Sequence, residues 1–69
     1  MSQKNENTDE KRLKEALRHE ENAVNLYRKY ARETDSEALE EMFLQFAMNE
    51  SWHAAAIRQK LEKLLDKGG

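Results

Sequence analysis

The sequence contains no cysteine and no proline, and its two glycines are the last two residues. The absence of cysteine excludes disulfides, iron–sulfur clusters and zinc sites built from thiolates. The absence of proline and of internal glycine removes the residues that most often interrupt helices, and so favours long helices. A chain of this length buries only about 60 % of its unfolded surface, so a monomer would be marginally stable. Oligomerisation, or a metal site built from carboxylates and histidine, remains as the means of stabilisation.

The sequence also has no large excess of charge of one sign. The 12 Lys and Arg residues nearly balance the 14 Asp and Glu residues, which leaves a net charge of −2 and no basic surface for nucleic acid. Apolar residues never run long enough to span a membrane, and no signal-peptide pattern opens the sequence. We therefore expect a soluble, cytoplasmic protein that binds neither nucleic acid nor membrane.

The spacing of the apolar residues predicts two helices. Between positions 13 and 31, and again between 39 and 65, apolar residues recur at intervals of three and four. We predict a disordered N-terminal arm over 1–7 and a helical hairpin over 8–67, with helices over about 8–33 and 36–66 and a turn over 34–36. Thr34 with Glu37 is typical of a capping box at the start of the second helix. The fold class is thus all-α, an antiparallel two-helix hairpin.

A two-helix hairpin cannot cover both sides of its apolar stripes by itself. Two-fold pairing with a second copy of the chain would complete a four-helix bundle. A further strip of Leu44, Met48 and Trp52 lies on the far side of the second helix, and tryptophan is favoured at interfaces. This strip is either a second subunit interface, which would assemble dimers into a larger ring or oligomer, or a set of scattered surface residues without a partner.

Three ionisable residues interrupt the apolar stripes. Glu20 lies in the first stripe, and Glu50 and His53, which share a helix face because they are three apart, lie in the second. Each would be costly in an apolar core unless it were paired or bound a metal. If the hairpin turns at Asp35, Glu20 and Glu50 lie equally far from the turn and therefore at the same height. The pattern predicts a metal site of which one chain supplies half.

Two copies of the chain would together supply four glutamates and two histidines. This is the ligand set of bundle sites that take a Glu from each of two helices and a Glu-x-x-His from each of the other two. Carboxylates can bridge two cations while each imidazole fills a terminal position, which favours iron or manganese over zinc. We predict a metal site shared by the dimer and held by Glu20, Glu50 and His53, with iron or manganese left open at this point.

Each of these residues also has a simpler interpretation. Glu20 would face solvent if the first helix were rotated, and His53 could be a hydrogen-bonded histidine of the core. Tyr27 is most simply a core aromatic residue. The placement of Glu20, Glu50 and His53 in one layer favours the metal site, and the simpler interpretations remain open at this point.

The spacing of these residues resembles that of the ferritin-like di-iron superfamily. The pattern that carries the resemblance is Glu20-x-x-Ala23-x-x-x-Tyr27 and then Phe43-x-x-x-Ala47-x-Asn49-Glu50-x-x-His53-Ala54. The sequence looks most similar to encapsulated ferritins and to the rubrerythrin half-bundle. The resemblance implies a ferritin-like bundle in the dimer that holds two iron ions, with manganese or zinc as substitutes. It implies Glu20 as a bridging or terminal ligand, Glu50 as a ligand and His53 as a terminal ligand. It also implies that Tyr27 donates a hydrogen bond beside the site.

The resemblance implies a ferroxidase, which oxidises ferrous to ferric iron for storage or detoxification, with Glu20, Glu50 and His53 as the catalytic residues. The alternatives are a rubrerythrin-like peroxide scavenger and a metal-free helical interaction module. The absence of cysteine removes the cysteine-bound iron that serves rubrerythrins as an electron relay. Similarity to encapsulated ferritins further implies either a free cytoplasmic protein or one held inside an encapsulin-type shell, in which case a docking tail after Gly69 would have been trimmed.

Overall fold

A computed structural model of the chain describes residues 6–68, and it describes side chains for residues 8–66. Helix α1 runs over Glu6–Glu33 and helix α2 over Glu37–Gly68, and the described residues contain no strand. The predicted all-α hairpin is confirmed. Helix α1 begins two residues before the predicted start, and residues 1–5 of the predicted N-terminal arm lie outside the described residues. Neither described helix has a stretch long and apolar enough to cross a bilayer.

Ser36 caps the start of α2, in place of the predicted capping box of Thr34 and Glu37. The Ser36 hydroxyl accepts a hydrogen bond from the Leu39 N–H at 3.2 Å, as an N-cap residue does. The Thr34 hydroxyl instead accepts one from the Ser36 N–H at 3.1 Å, within the turn. The prediction that Thr34 and Glu37 form a capping box was therefore wrong, because Glu37 is the first residue of α2 and not its third.

The core between the two helices is small. Its buried apolar residues are Val24 and Ala31 on α1 and Ala47 and Ala54 on α2, each pair two helical turns apart. Alanine lets the helices approach closely but buries little apolar area, and no large side chain among the described residues is fully buried. The hairpin has a radius of gyration of 15.8 Å. A compact domain of this length would have about 11 Å. A single copy thus lacks the core of a stable monomer.

Large apolar side chains remain exposed on two sides of α2. Leu39, Met42 and Phe46 follow one another at helical spacing and continue to Glu50 and His53, and we call this side the site face. Leu44, Met48 and Trp52 lie on the other side of α2 and are 46 %, 55 % and 70 % exposed. We call these three residues the rear strip. Both surfaces are uncovered in the single hairpin.

An aromatic cluster ties the helices together between the turn and the middle of the hairpin. Tyr27 packs edge-to-face on Phe46 with ring centroids 5.4 Å apart, and it stacks on Phe43 at 6.4 Å. Tyr30 contacts Phe43 at 5.3 Å. Each such pair contributes about 0.5–1.5 kcal/mol beyond its buried area. The cluster compensates in part for the small core and fixes the height of one helix against the other.

Candidate metal centre

The structure brings Glu20, Glu50 and His53 together at mid-length of the hairpin. Glu20 lies near the midpoint of α1. Glu50 and His53 lie about one turn apart near the midpoint of α2. One candidate ligand atom from each of the three residues lies within 4.8 Å of the others. The height match inferred from the sequence is thus what places a carboxylate of α1 beside a carboxylate and an imidazole of α2.

A single ring nitrogen lies between the two carboxylates. His53 Nδ1 is 3.2 Å from Glu50 Oε1, a hydrogen-bonding distance, and 3.5 Å from Glu20 Oε1. Which atom donates depends on the protonation and tautomer of the ring. The three side chains therefore converge on a common point. Two acids on a free surface would instead point away from each other into solvent, because their charges repel.

Burial is uneven across the three residues. The Glu20 and Glu50 side chains are each 26 % exposed, whereas the His53 side chain is 61 % exposed on the uncovered site face. Glu20 Oε1 is itself buried, and no hydrogen-bond partner for it lies among the described residues. A buried acceptor without a partner costs about 1–3 kcal/mol, and more when it is charged. The structure thus contains an unsatisfied acceptor that a cation would satisfy.

The two carboxyl groups titrate as a pair. The pKa of Glu20 is raised above its ordinary value, first because it shares a hydrogen bond with Glu50, then because it is partly buried and lies beside the Glu50 charge. The pKa of Glu50 is lowered, chiefly because it accepts that hydrogen bond from Glu20, with His53 adding to the effect. The two carboxyl groups therefore lose their protons in separate steps, Glu50 before Glu20.

The donor set fits an iron or manganese ion but leaves it incompletely coordinated. Two carboxylates and one imidazole are hard oxygen and borderline nitrogen donors, the types that these ions share with zinc. The described residues of one hairpin supply three such side chains at this place. His53 is the most exposed of the three side chains and lies on the site face, so further protein ligands would approach the site from that face.

The other predicted site residues lie outside this cluster. The half-buried Tyr27 ring belongs to the aromatic cluster, and no hydrogen bond between described residues joins its hydroxyl to Glu20, Glu50 or His53. Its role as a donor stays a prediction. The rear strip lies on the other side of α2 from His53, and its role as an interface likewise stays a prediction.

Sequence reasoning missed an ion pair on the opposite side of the hairpin. Arg58 Nη2 donates to Glu21 Oε2 at 2.7 Å and joins α2 to α1. Both side chains are about half exposed, so the pair contributes at most about 1 kcal/mol. The available signal was the position of both residues one step off the apolar stripes. Two charged residues beside a helix contact commonly reach across it, and this pair helps to fix the helix register.

One comparison with known proteins finds a relation. A family model described as rubrerythrin matches residues 11–67, which include most of α1, nearly all of α2 and all three residues of the candidate centre. No curated protein and no solved structure matches the chain.

Proposed function

The chain belongs to the rubrerythrin family of ferritin-like, iron-binding proteins, and from this premise we propose that it is a ferroxidase. Its di-iron site forms between two copies of the hairpin, each of which contributes Glu20, Glu50 and His53. The observation that carries the proposal is the convergence of these three side chains on an uncovered face, with one buried carboxylate oxygen left without a partner.

The uncovered site face supports a second hairpin as the missing half. Leu39, Met42 and Phe46 are 43 %, 38 % and 38 % exposed and lie on α2 between the turn and the candidate ligands. Full burial of one such side chain contributes about 1.5–3 kcal/mol, so covering the part that is still exposed contributes about 0.6–1.2 kcal/mol. Three such side chains from each copy contribute about 4–7 kcal/mol, which offsets the lower part of an association cost of about 4–15 kcal/mol. Pairing would bury this surface and bring two ligand sets to one layer.

The chemistry required of the protein is chiefly electrostatic. Ferrous iron is the substrate, and two ions together give up two electrons and leave as ferric iron. O₂ takes these electrons and two protons from water to become hydrogen peroxide, or peroxide takes them to become two water molecules. Four glutamates from the two copies supply negative charge that stabilises ferric iron more strongly than ferrous iron, which makes loss of the electron more favourable. Glu20, Glu50 and His53 would bind iron in their deprotonated forms, so iron binding would release any proton that they carry.

The rear strip supports a larger assembly of these dimers. Leu44, Met48 and Trp52 form a connected apolar surface on the side of α2 that the proposed dimer leaves free. We assign this strip to contacts between dimers, because tryptophan and methionine are enriched in the buried centres of interfaces.

Ferrous oxidation in air, followed by the absorbance of ferric iron, tests the proposed function. We expect the protein to oxidise iron well above the rate in buffer, and the variant Glu50→Ala with His53→Ala to lose most of that rate. The control Glu62→Ala with His19→Ala removes the same residue types at exposed positions and should keep it. Wild-type activity in the ligand variant would overturn the assignment. Faster turnover with peroxide than with O₂ would favour a peroxide scavenger.

A further inference from the structure

A polar groove lies between the two helices on the side of the hairpin away from the site face. Its volume is about 360 Å³, within the range of small-molecule sites, and the buried Val24 and Ala54 form its apolar lining. Its polar lining residues are Glu21, Asn25, Arg28, Ser51 and Arg58. We call it the arginine groove. Because the proposed dimer covers the site face, the arginine groove stays open to solvent in that dimer.

The polar lining of the groove offers many hydrogen-bond donors and few acceptors. Arg58 Nη2 donates to Glu21 at 2.7 Å, and this is one of the five N–H donors that a guanidinium carries. The side chains of Arg28, Ser51 and Asn25 have no hydrogen bond or ion pair with another described residue. Two arginines against one glutamate leave the groove with a net charge of +1. The groove therefore suits a ligand that is anionic and rich in acceptors.

The two arginines occupy matching positions on the two helices. Arg28 follows the buried Val24 by four residues on α1, and Arg58 follows the buried Ala54 by four residues on α2. Residues four apart share a helix face, so each arginine borders the groove from a different helix. A guanidinium binds phosphate with two parallel N–H···O bonds. One carboxylate would be saturated by one guanidinium, whereas a tetrahedral oxyanion has oxygen atoms for both.

We propose that the arginine groove binds a tetrahedral oxyanion, either free phosphate or the phosphate group of an ester. Arg28 and Arg58 bind the anion from the two helices, and the Ser51 hydroxyl and the Asn25 amide donate further hydrogen bonds. Glu21 occupies only one nitrogen of Arg58, and so it restrains that side chain without saturating it.

A bound anion would act on the metal centre through charge, and this consequence rests on the proposed function. Glu21 and Ser51 directly follow the candidate ligands Glu20 and Glu50 in the sequence, so the groove and the centre lie on two sides of one layer of the hairpin. Negative charge in the groove favours a cation across the hairpin, and salt screens this attraction only in part. Because such coupling is reciprocal, each ligand would strengthen the binding of the other by the same factor.

Phosphate titration of the metal-free protein, followed by ¹H–¹⁵N NMR, tests the groove independently of the metal centre. Sodium chloride of equal ionic strength is the blank. We expect saturable shifts of the Asn25 side-chain amide and of the Arg28 and Arg58 Nε–H groups at about millimolar phosphate. No saturation at about 10 mM, at which a millimolar site is nearly full, would overturn the proposal. Glycerol phosphate titrated in parallel distinguishes the two sources, because the tighter binder of the two is the form that the groove accepts.

Matched variants separate the groove from the net charge of the chain. Arg28→Gln with Arg58→Gln should weaken phosphate binding about tenfold or more, because both charge-assisted contacts are lost. Arg18→Gln with Lys29→Gln removes the same charge at exposed positions outside the groove and should change the affinity less than about twofold. Ser51→Ala should weaken binding about threefold without harm to α2, since alanine is the better helix former. An equal loss in the control would overturn the proposal.

Sulfate tests the coupling to the metal centre, because it is tetrahedral and, unlike phosphate, does not precipitate ferrous iron. Anaerobic binding of ferrous iron should tighten about twofold in sulfate relative to chloride of equal ionic strength, and the variant Arg28→Gln with Arg58→Gln should lose this gain. An equal gain in that variant would contradict the coupling. A protein that binds phosphate but no ferrous iron would contradict the proposed function and support the groove. Binding of ferrous iron without phosphate would have the opposite meaning.

Discussion

Glu20 and Glu21 are neighbours in sequence but lie on opposite sides of the hairpin. Glu21 is half exposed, and its carboxylate is satisfied by Arg58 at 2.7 Å. Glu20 is more buried, faces a second carboxylate and leaves one oxygen without a partner. The first arrangement is that of an ordinary surface ion pair, which water and salt can replace. The second is a poor way to stabilise a fold, and a bound cation would make it favourable.

The largest difference between the Glu20 side and the Glu21 side of the hairpin should appear in the rate of iron oxidation. We expect Glu20→Ala to lower the rate of ferrous oxidation by about a hundredfold, since loss of a ligand removes both charge and geometry. Glu21→Ala should stay within about twofold of the wild type, because its carboxylate lies outside the cluster. Equal losses in the two variants would show that the fold, and not the ligand set, had been disturbed. Circular dichroism of both variants checks that possibility.

A smaller difference should separate the site face from the rear strip. Phe46→Ala removes a side chain whose remaining exposed 38 % the dimer would bury, at a cost of about 1 kcal/mol per copy, so we expect dimerisation to weaken about tenfold or more. Met48→Ala with Trp52→Ala should leave the dimer and its iron oxidation intact and remove any species larger than a dimer. Light scattering measures both effects. An unchanged mass in the rear-strip variant at every concentration would contradict its assignment as an interface.

The smallest effect concerns the stability of the metal-free protein. The raised pKa of Glu20 means that its stabilising contribution is complete below the ordinary value of 4.5 and is lost as the pH rises through the raised value. The lowered pKa of Glu50 acts in the opposite sense, and its contribution is lost only as the pH falls below 4.5 through the lowered value. At neutral pH the unfavourable group is therefore Glu20.

It follows that Glu20→Gln, which cannot ionise, should raise the melting temperature of metal-free protein by a few degrees at pH 7 and leave it nearly unchanged at pH 4. Glu21→Gln should not raise the melting temperature, because it breaks the ion pair with Arg58. Thermal unfolding in the presence of a chelator measures both variants. A lower melting temperature for Glu20→Gln at pH 7 would show that the ionised carboxylate is already well accommodated without metal. The same variant should bind iron poorly, which would show that stability is exchanged for function at this position.

The hairpin and the convergence of its three ionisable residues could be anticipated from the sequence for one reason. Both depend on helical periodicity and on the equal distances of Glu20 and Glu50 from the turn, which are simple consequences of a rigid rise per residue. The cap at Ser36 could not be placed in this way, because neighbouring Thr, Asp and Ser residues all suit a cap and the choice depends on where the first turn of α2 closes. The pairing of Glu21 with Arg58 depends on the reach of a long side chain, which periodicity does not determine.

Sedimentation of the protein during anaerobic titration with ferrous iron tests most directly whether one chain holds half of a metal centre. We expect bound iron to saturate at two ions per dimer, and we expect the species that carries iron to have the mass of two chains or of a multiple of two. Iron bound tightly by a species with the mass of one chain would contradict the shared site. A dimer that takes up no iron would contradict the metal centre itself.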